Sequence, residues 1–182
     1  MIAVVNPFQN IDHTWTLFLD RDGVINKKLG GYVTTPSEFT FLPHVIESLV
    51  TLSEIFTTIV IVTNQQGIGK ELMSHDDLHS VHSHMLRNIN LAGGRIDNIY
   101  YCPQLAQEDP PCRKPNPGMA LQAKGDFPHI DFRKSVMIGD SVSDIRFGNL
   151  LKMTTVRISG ATDHEADMTC SSLADFLIYL DK

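Results

Sequence analysis

Cysteine is scarce in this 182-residue chain, with three in all, and there is one tryptophan. Three thiols cannot build the paired framework of a small secreted domain, so reduced cysteines in a cytoplasmic protein are the expectation. Long apolar runs are missing as well. Stretches such as residues 2–5 and 58–62 fall far below the roughly 20 residues needed to cross a bilayer, so no membrane segment is expected. The first residues lack the basic and then apolar pattern of a secretory signal. Positive charge is also in short supply. The chain has 15 Lys and Arg against 21 Asp and Glu, a formal net charge of −6, which gives no long-range pull toward nucleic acid or anionic lipid.

What the chain does contain is core material. Apolar residues make up 42% and charged residues 20%, enough to bury an interior within one domain spanning 1–182, with 1–13 as an N-terminal extension. Apolar runs rich in strand formers (residues 14–19, 58–63, 98–102, 135–139 and 154–158) alternate with segments of helical spacing (43–55, 74–91, 117–123, 143–151 and 172–180). Pro43 suits a first helical turn, Ser74 with Asp77 reads as a capping box, and Asn116 is a candidate cap for the helix after it. Regular alternation predicts an α/β fold: a Rossmann-like parallel sheet flanked by helices, with reactive groups beyond the carboxyl ends of the strands.

Chemistry-bearing residues stand at those strand ends. Asp20 and Asp22 follow the first strand in FLDRDGV, and Thr63 and Asn64 close the second in VTNQQG. Arg113 and Lys114 precede a helix start in CRKPNPG, while Asp140, Ser141 and Asp144 follow the fourth strand in GDSVSD. Each piece alone reads as a turn, a solvated charge or a helix-start acid. Together they describe one site with several carboxylates, which repel one another unless a divalent cation neutralises them. All-oxygen ligands suit Mg²⁺, and a cation with a lysine, a hydroxyl and amide donors makes a receptor for a phosphoryl group.

These motifs, in this order from Leu17 to about Leu180, resemble the haloacid dehalogenase (HAD) superfamily of phosphatases. FLDRDGVIN, VTNQQGIG, IYYCP, CRKPNPGM and GDSVSD resemble its heptose-1,7-bisphosphate phosphatase branch most, with the histidinol-phosphatases as near relatives. The resemblance implies an Mg²⁺-dependent phosphomonoesterase acting on a small phosphorylated metabolite. Asp20 is then the nucleophile and Asp22 the general acid and base. Thr63 and Lys114 hold the transferred phosphoryl. Mg²⁺ sits with Asp20, the Asp22 carbonyl and Asp140, and Asp144 supports the metal or orients Lys114. Asn64, Arg113, Ser141 and Tyr32 are candidate substrate contacts. Core elements use most of the chain between Asp20 and Lys114, which leaves no large cap domain. Specificity is therefore expected from loops 27–36 and 103–111, in a monomer.

Relatives of this branch carry a structural zinc on four ligands in the loop before Arg-Lys-Pro. Here only Cys102 and Cys112 remain, with Gln104 and Pro110 at the other two places, so a structural Zn²⁺ is not expected. His75, His79, His82 and His84 read as helix-surface histidines, since no carboxylate accompanies them. Two alternatives stay open: a histidinol-phosphatase, and a receiver-like signalling domain that keeps its phosphate. The second places its acidic pair before the acceptor aspartate, whereas here Asp22 follows Asp20.

Overall fold

In the computed structural model, which describes residues 8–180, six strands form one wholly parallel sheet. They are β1 (Thr16–Leu19), β2 (Thr58–Asn64), β3 (Asn98–Cys102), β4 (Ser135–Gly139), β5 (Thr154–Ile158) and β6 (Met168–Cys170), in the order β3-β2-β1-β4-β5-β6. The helices are α1 (Val45–Ile55), α2 (His75–Leu91), α3 (Gly118–Asp126), α4 (Val142–Leu151) and α5 (Leu173–Leu177). Strand β1 pairs with β2 on one side and β4 on the other, so the winding reverses there. A crevice opens at such a reversal, beyond the carboxyl ends of the strands.

The central strands are apolar at successive positions because both their faces are covered. Leu17, Leu19, Ile59, Ile61, Val136 and Ile138 pack in a cluster with Val45, Leu49 and Leu52 of α1, Val81 and Met85 of α2, and Phe176 of α5. The alternate residues Phe18, Val60, Val62 and Met137 pack with Met119, Ala120 and Ala123 of α3 and Phe147 of α4. Each of the larger apolar side chains among these, fully buried, contributes about 2 kcal/mol. Among the described residues of the N-terminal extension, Phe8 and Ile11 are buried in the first cluster; residues 1–7 lie outside the description.

Several boundaries differ from the sequence expectation. His44 adopts the left-handed conformation, φ 59°, so α1 starts at Val45 and Pro43 stays outside it. Pro117, not Asn116, holds the N-cap position of α3, with no side-chain capping bond, and Asn116 Nδ2 instead donates to Asp109 Oδ1 at 2.9 Å and the Pro110 carbonyl at 3.1 Å. Ser74 and Asp77 do form the capping box of α2. The three-residue β6 carried no periodic signal, and the closing helix is shorter than its apolar spacing suggested.

The cysteines require a correction. Cys102 and Cys112 are joined in a disulfide rather than reduced, because loop 103–111 returns to bring their Cα atoms to 5.3 Å. That bond closes the loop at the end of β3 and anchors the residue just before Arg113. Cys170 is the buried free thiol. No helix among the described residues is long and apolar enough to cross a membrane.

Candidate active site

Asp20 owes its place to the ladder. Its N–H donates to the Ile138 carbonyl at 2.9 Å, one step past β1, which sets its side chain at the mouth of the crevice. Asp140 and Asp144 reach the same point from the β4–α4 turn, and Lys114 comes from the loop ahead of α3. Gly139 permits this crowding, because a Cβ there would land on the Asp144 side chain. Gly23 does the same for Asp140, and its φ of +91° is a conformation glycine adopts without cost.

Lys114 is the hub. Its Nζ lies 2.9 Å from Asp20 Oδ1 and 2.6 Å from Asp144 Oδ1, and it donates to the Val62 carbonyl at 2.6 Å. Burial works against its charge, but Asp144 and Asp20 outweigh it and hold its pKa above the usual lysine value. Asn64 fixes its backbone: Lys114 N–H donates to Asn64 Oδ1 at 3.0 Å, and Asn64 Nδ2 donates to the Lys114 carbonyl at 3.2 Å. The Asn64 amide, a candidate substrate contact in the sequence, is thus committed to positioning Lys114. Asp144 is fully buried. Its Oδ2 accepts from the Ser141 N–H at 2.9 Å and the Ser141 hydroxyl at 2.6 Å, capping α4.

Carboxylate oxygens of Asp20, Asp140 and Asp144 lie within 4.8 Å of one another. Desolvation pushes Asp20 up to about 7, aided by the charges of Asp144 and Asp22 and opposed by Lys114. A hard divalent cation fits this all-oxygen donor set, because its charge would offset both the desolvation and the acid repulsion that raise Asp20.

Asp22 lines the same crevice but has a different set of partners. Arg21 Nη2 donates to both its oxygens at 2.9 Å, Asn26 Nδ2 donates to Oδ1 and Gln65 Nε2 to Oδ2, each also at 2.9 Å. Burial raises its proton affinity, yet Arg21 and these donors prevail and hold the carboxyl below the usual range. Gln65 also donates to Thr63 Oγ1 at 2.9 Å, tying Thr63 to Asp22.

The residues singled out in the sequence (Asp20, Asp22, Tyr32, Thr63, Asn64, Arg113, Lys114, Asp140, Ser141 and Asp144) all line one cavity of about 230 Å³. Sequence reasoning missed the supports behind it. Arg21 is fully buried, and its Nη1 meets His82 Nε2 at 3.1 Å. His82 is therefore not a surface histidine. Burial and the Arg21 charge push it down to about 3, so it stays neutral and serves as the acceptor. The one available signal was Arg21 itself, a long cation between two catalytic candidates at the end of a strand. Lys28, on loop 27–36, is a further lining residue absent from the sequence reading.

Comparison with known proteins points in one direction. Residues 111–177 match a model described as HAD-hydrolase-like. The chain is 37% identical over 173 residues to the D-glycero-alpha-D-manno-heptose-1,7-bisphosphate 7-phosphatase of Mycobacterium tuberculosis, with 91% of each chain covered. It is 41% identical over 136 residues to the D-glycero-beta-D-manno-heptose-1,7-bisphosphate 7-phosphatase of Vibrio cholerae, covering 71% of this chain and 72% of that one. Among solved structures, the D,D-heptose 1,7-bisphosphate phosphatase of B. bronchiseptica, complexed with magnesium and phosphate, superposes with a TM-score of 0.83. That match has 26% identity and covers 91% of this chain and 97% of the other.

Proposed function

This chain belongs to the HAD-like hydrolases, in the family of the heptose-1,7-bisphosphate 7-phosphatases, and we propose that it removes the 7-phosphate from a D-glycero-D-manno-heptose 1,7-bisphosphate. One observation carries the reading: Lys114 grips Asp20 and Asp144 at once, inside a cluster of three carboxylates at the reversal point of the sheet.

Asp20 and Asp140, with the Asp22 main-chain carbonyl, would hold Mg²⁺. When bound, the ion supplies positive charge that lets Asp20 ionise and offsets the phosphoryl oxygens. Asp20 attacks phosphorus, the ester oxygen leaves with the bonding pair, and an aspartyl-phosphate forms. Thr63 binds a phosphoryl oxygen through transfer, Lys114 supplies the positive charge beside it as Asp20 gives up its negative charge, and Asn64 keeps Lys114 aimed. As substrate binds, the Asp22 carboxylate takes up a proton from solvent or from the phosphate monoanion, gives it to the leaving alkoxide, and later takes one back from the water that cleaves the aspartyl-phosphate. Arg21, Asn26 and Gln65 hold Asp22 ionised between turnovers. An arriving phosphate dianion raises the proton affinity of Asp22, because a like charge a few Å away disfavours the carboxylate.

Phosphate release by the purified chain, assayed with Mg²⁺ on heptose 1,7-bisphosphate and on histidinol phosphate, tests the reading. Turnover of the heptose ester is expected to be the faster, to stop with EDTA, to return with Mg²⁺, and to vanish in Asp20→Asn. Turnover in Asp20→Asn, or a preference for histidinol phosphate, would refute it.

A further inference from the structure

One cation on the wall of the cavity has no part in that chemistry. Lys28 Nζ lies 2.8 and 3.1 Å from the two oxygens of Asp140, and its side chain is 57% exposed, against 1% for Lys114. The two lysines are differently placed. Lys114 is locked by two carboxylates and a carbonyl, whereas Lys28 holds one carboxylate from an exposed loop. That carboxylate belongs to the acidic cluster, so a divalent ion binding there competes with Lys28 for the same oxygens and repels its ammonium. Lys28 is then left unpaired, on a long flexible stem, at the rim of the substrate cavity. A second observation points the same way: Arg113 lines this cavity, and its Nη1 is buried with no hydrogen-bond partner. A buried guanidinium donor without an acceptor costs free energy that an anionic ligand would recover.

Building on the bisphosphate reading above, we propose that Lys28 is a specificity residue which, beside Arg113, binds the phosphate that is not cleaved. The scissile phosphate has its own charge partners in Lys114 and the metal cluster. The distal phosphate needs cations farther out, and Lys28 is the exposed one on this cavity wall. A lysine suits the task because a compact ammonium on a four-carbon stem can follow a group whose position varies with the sugar. In this arrangement the metal sets Lys28 free, so metal binding precedes productive capture of the bisphosphate.

The test compares heptose 1,7-bisphosphate with heptose 7-phosphate, which has the same scissile ester but no distal phosphate. Lys28→Ala is expected to raise KM for the bisphosphate tenfold or more. The ratio of kcat/KM values between the two esters should fall by the same factor, and Lys28→Arg should restore most of it. Calorimetry in the Asp20→Asn background with Mg²⁺ reads binding without turnover. There, adding Lys28→Ala should weaken the bisphosphate tenfold or more relative to inorganic phosphate. An unchanged ratio, or equal losses on both esters, would overturn the assignment. A wild-type chain that hydrolyses neither ester would overturn the bisphosphate reading and this inference with it. Wild-type turnover with a ratio indifferent to Lys28 would overturn this inference alone.

Discussion

Asp20 and Asp22 stand two residues apart in the chain and live in opposite electrostatic surroundings. Asp20 is buried beside other acids and pushed up to about 7, while Asp22 is gripped by Arg21, Asn26 and Gln65 and held below the usual carboxylate range. Without a metal this order is the reverse of what a nucleophile and a general acid need, and a cation on the acidic cluster together with a phosphate dianion beside Asp22 is what would invert it. Asp22→Asn keeps the shape and the acceptor oxygen but cannot carry a proton. Its kcat is expected to fall about 10²–10⁴-fold, with the aspartyl-phosphate accumulating because its hydrolysis loses the base. Acid-quench trapping of phosphorylated Asp22→Asn protein checks this; unchanged turnover would remove Asp22 from the mechanism. The sequence pointed to both aspartates from the DRDG motif. It did not show that Arg21 would be fully buried between Asp22 and His82, because the partner lies 61 positions away on another helix.

At the scale of elements, the site is a set of turns packed against one another at the ends of strands. The β4–α4 turn shows how little slack there is: Asp144 caps α4 through Ser141 and pairs with Lys114, and it reaches both only because position 139 has no side chain. Gly139→Ala is therefore expected to displace Asp144 and with it Lys114. Overpacking of this kind costs about 1–3 kcal/mol. kcat should fall further than a stability loss of that size explains, since the folded fraction would remain close to one. Urea unfolding run beside steady-state assays separates the two effects. Loop 103–111 makes the complementary point. The sequence offered Cys102 and Cys112 at its two ends, but their joining in a disulfide depends on the loop returning on itself. Spacing alone could not distinguish that outcome from two reduced thiols.

For the whole molecule, the buried His82 links the site to global stability. Its folded pKa of about 3 lies below the unfolded value of about 6.5, so between those limits the unfolded chain binds the extra proton. Stability from keeping His82 neutral is complete above pH 6.5 and is lost as pH falls toward 3. At pH 5 the loss amounts to about 2 kcal/mol. His82→Gln keeps an acceptor for Arg21 without the titration. Its stability is expected to fall less than wild type between pH 7 and pH 5, by about that amount. Denaturant unfolding at the two pH values measures the difference, and parallel losses in both proteins would contradict the buried neutral assignment.

The architecture and the residues that line the candidate site were both legible in the one-dimensional chain. Unbroken apolar runs separated by helical stripes require a parallel sheet covered on both faces, and such a sheet brings its strand ends to a single edge. Residues written at the ends of those runs must then meet, which is why Asp20, Thr63 and Asp140 share one cavity, with Lys114 carried to it by the loop between β3 and α3. The short β6, the left-handed start of α1 and the disulfide carried no periodic pattern. Only the folded chain decided which polar groups are supports, because burying Arg21 and His82, and pairing Asn64 with Lys114, beside acceptors and donors from distant segments is a property of three-dimensional packing. A polar side chain in a sequence looks the same whether it faces water or a partner sixty residues away, and desolvation, which separates the two cases, exists only once the core has closed.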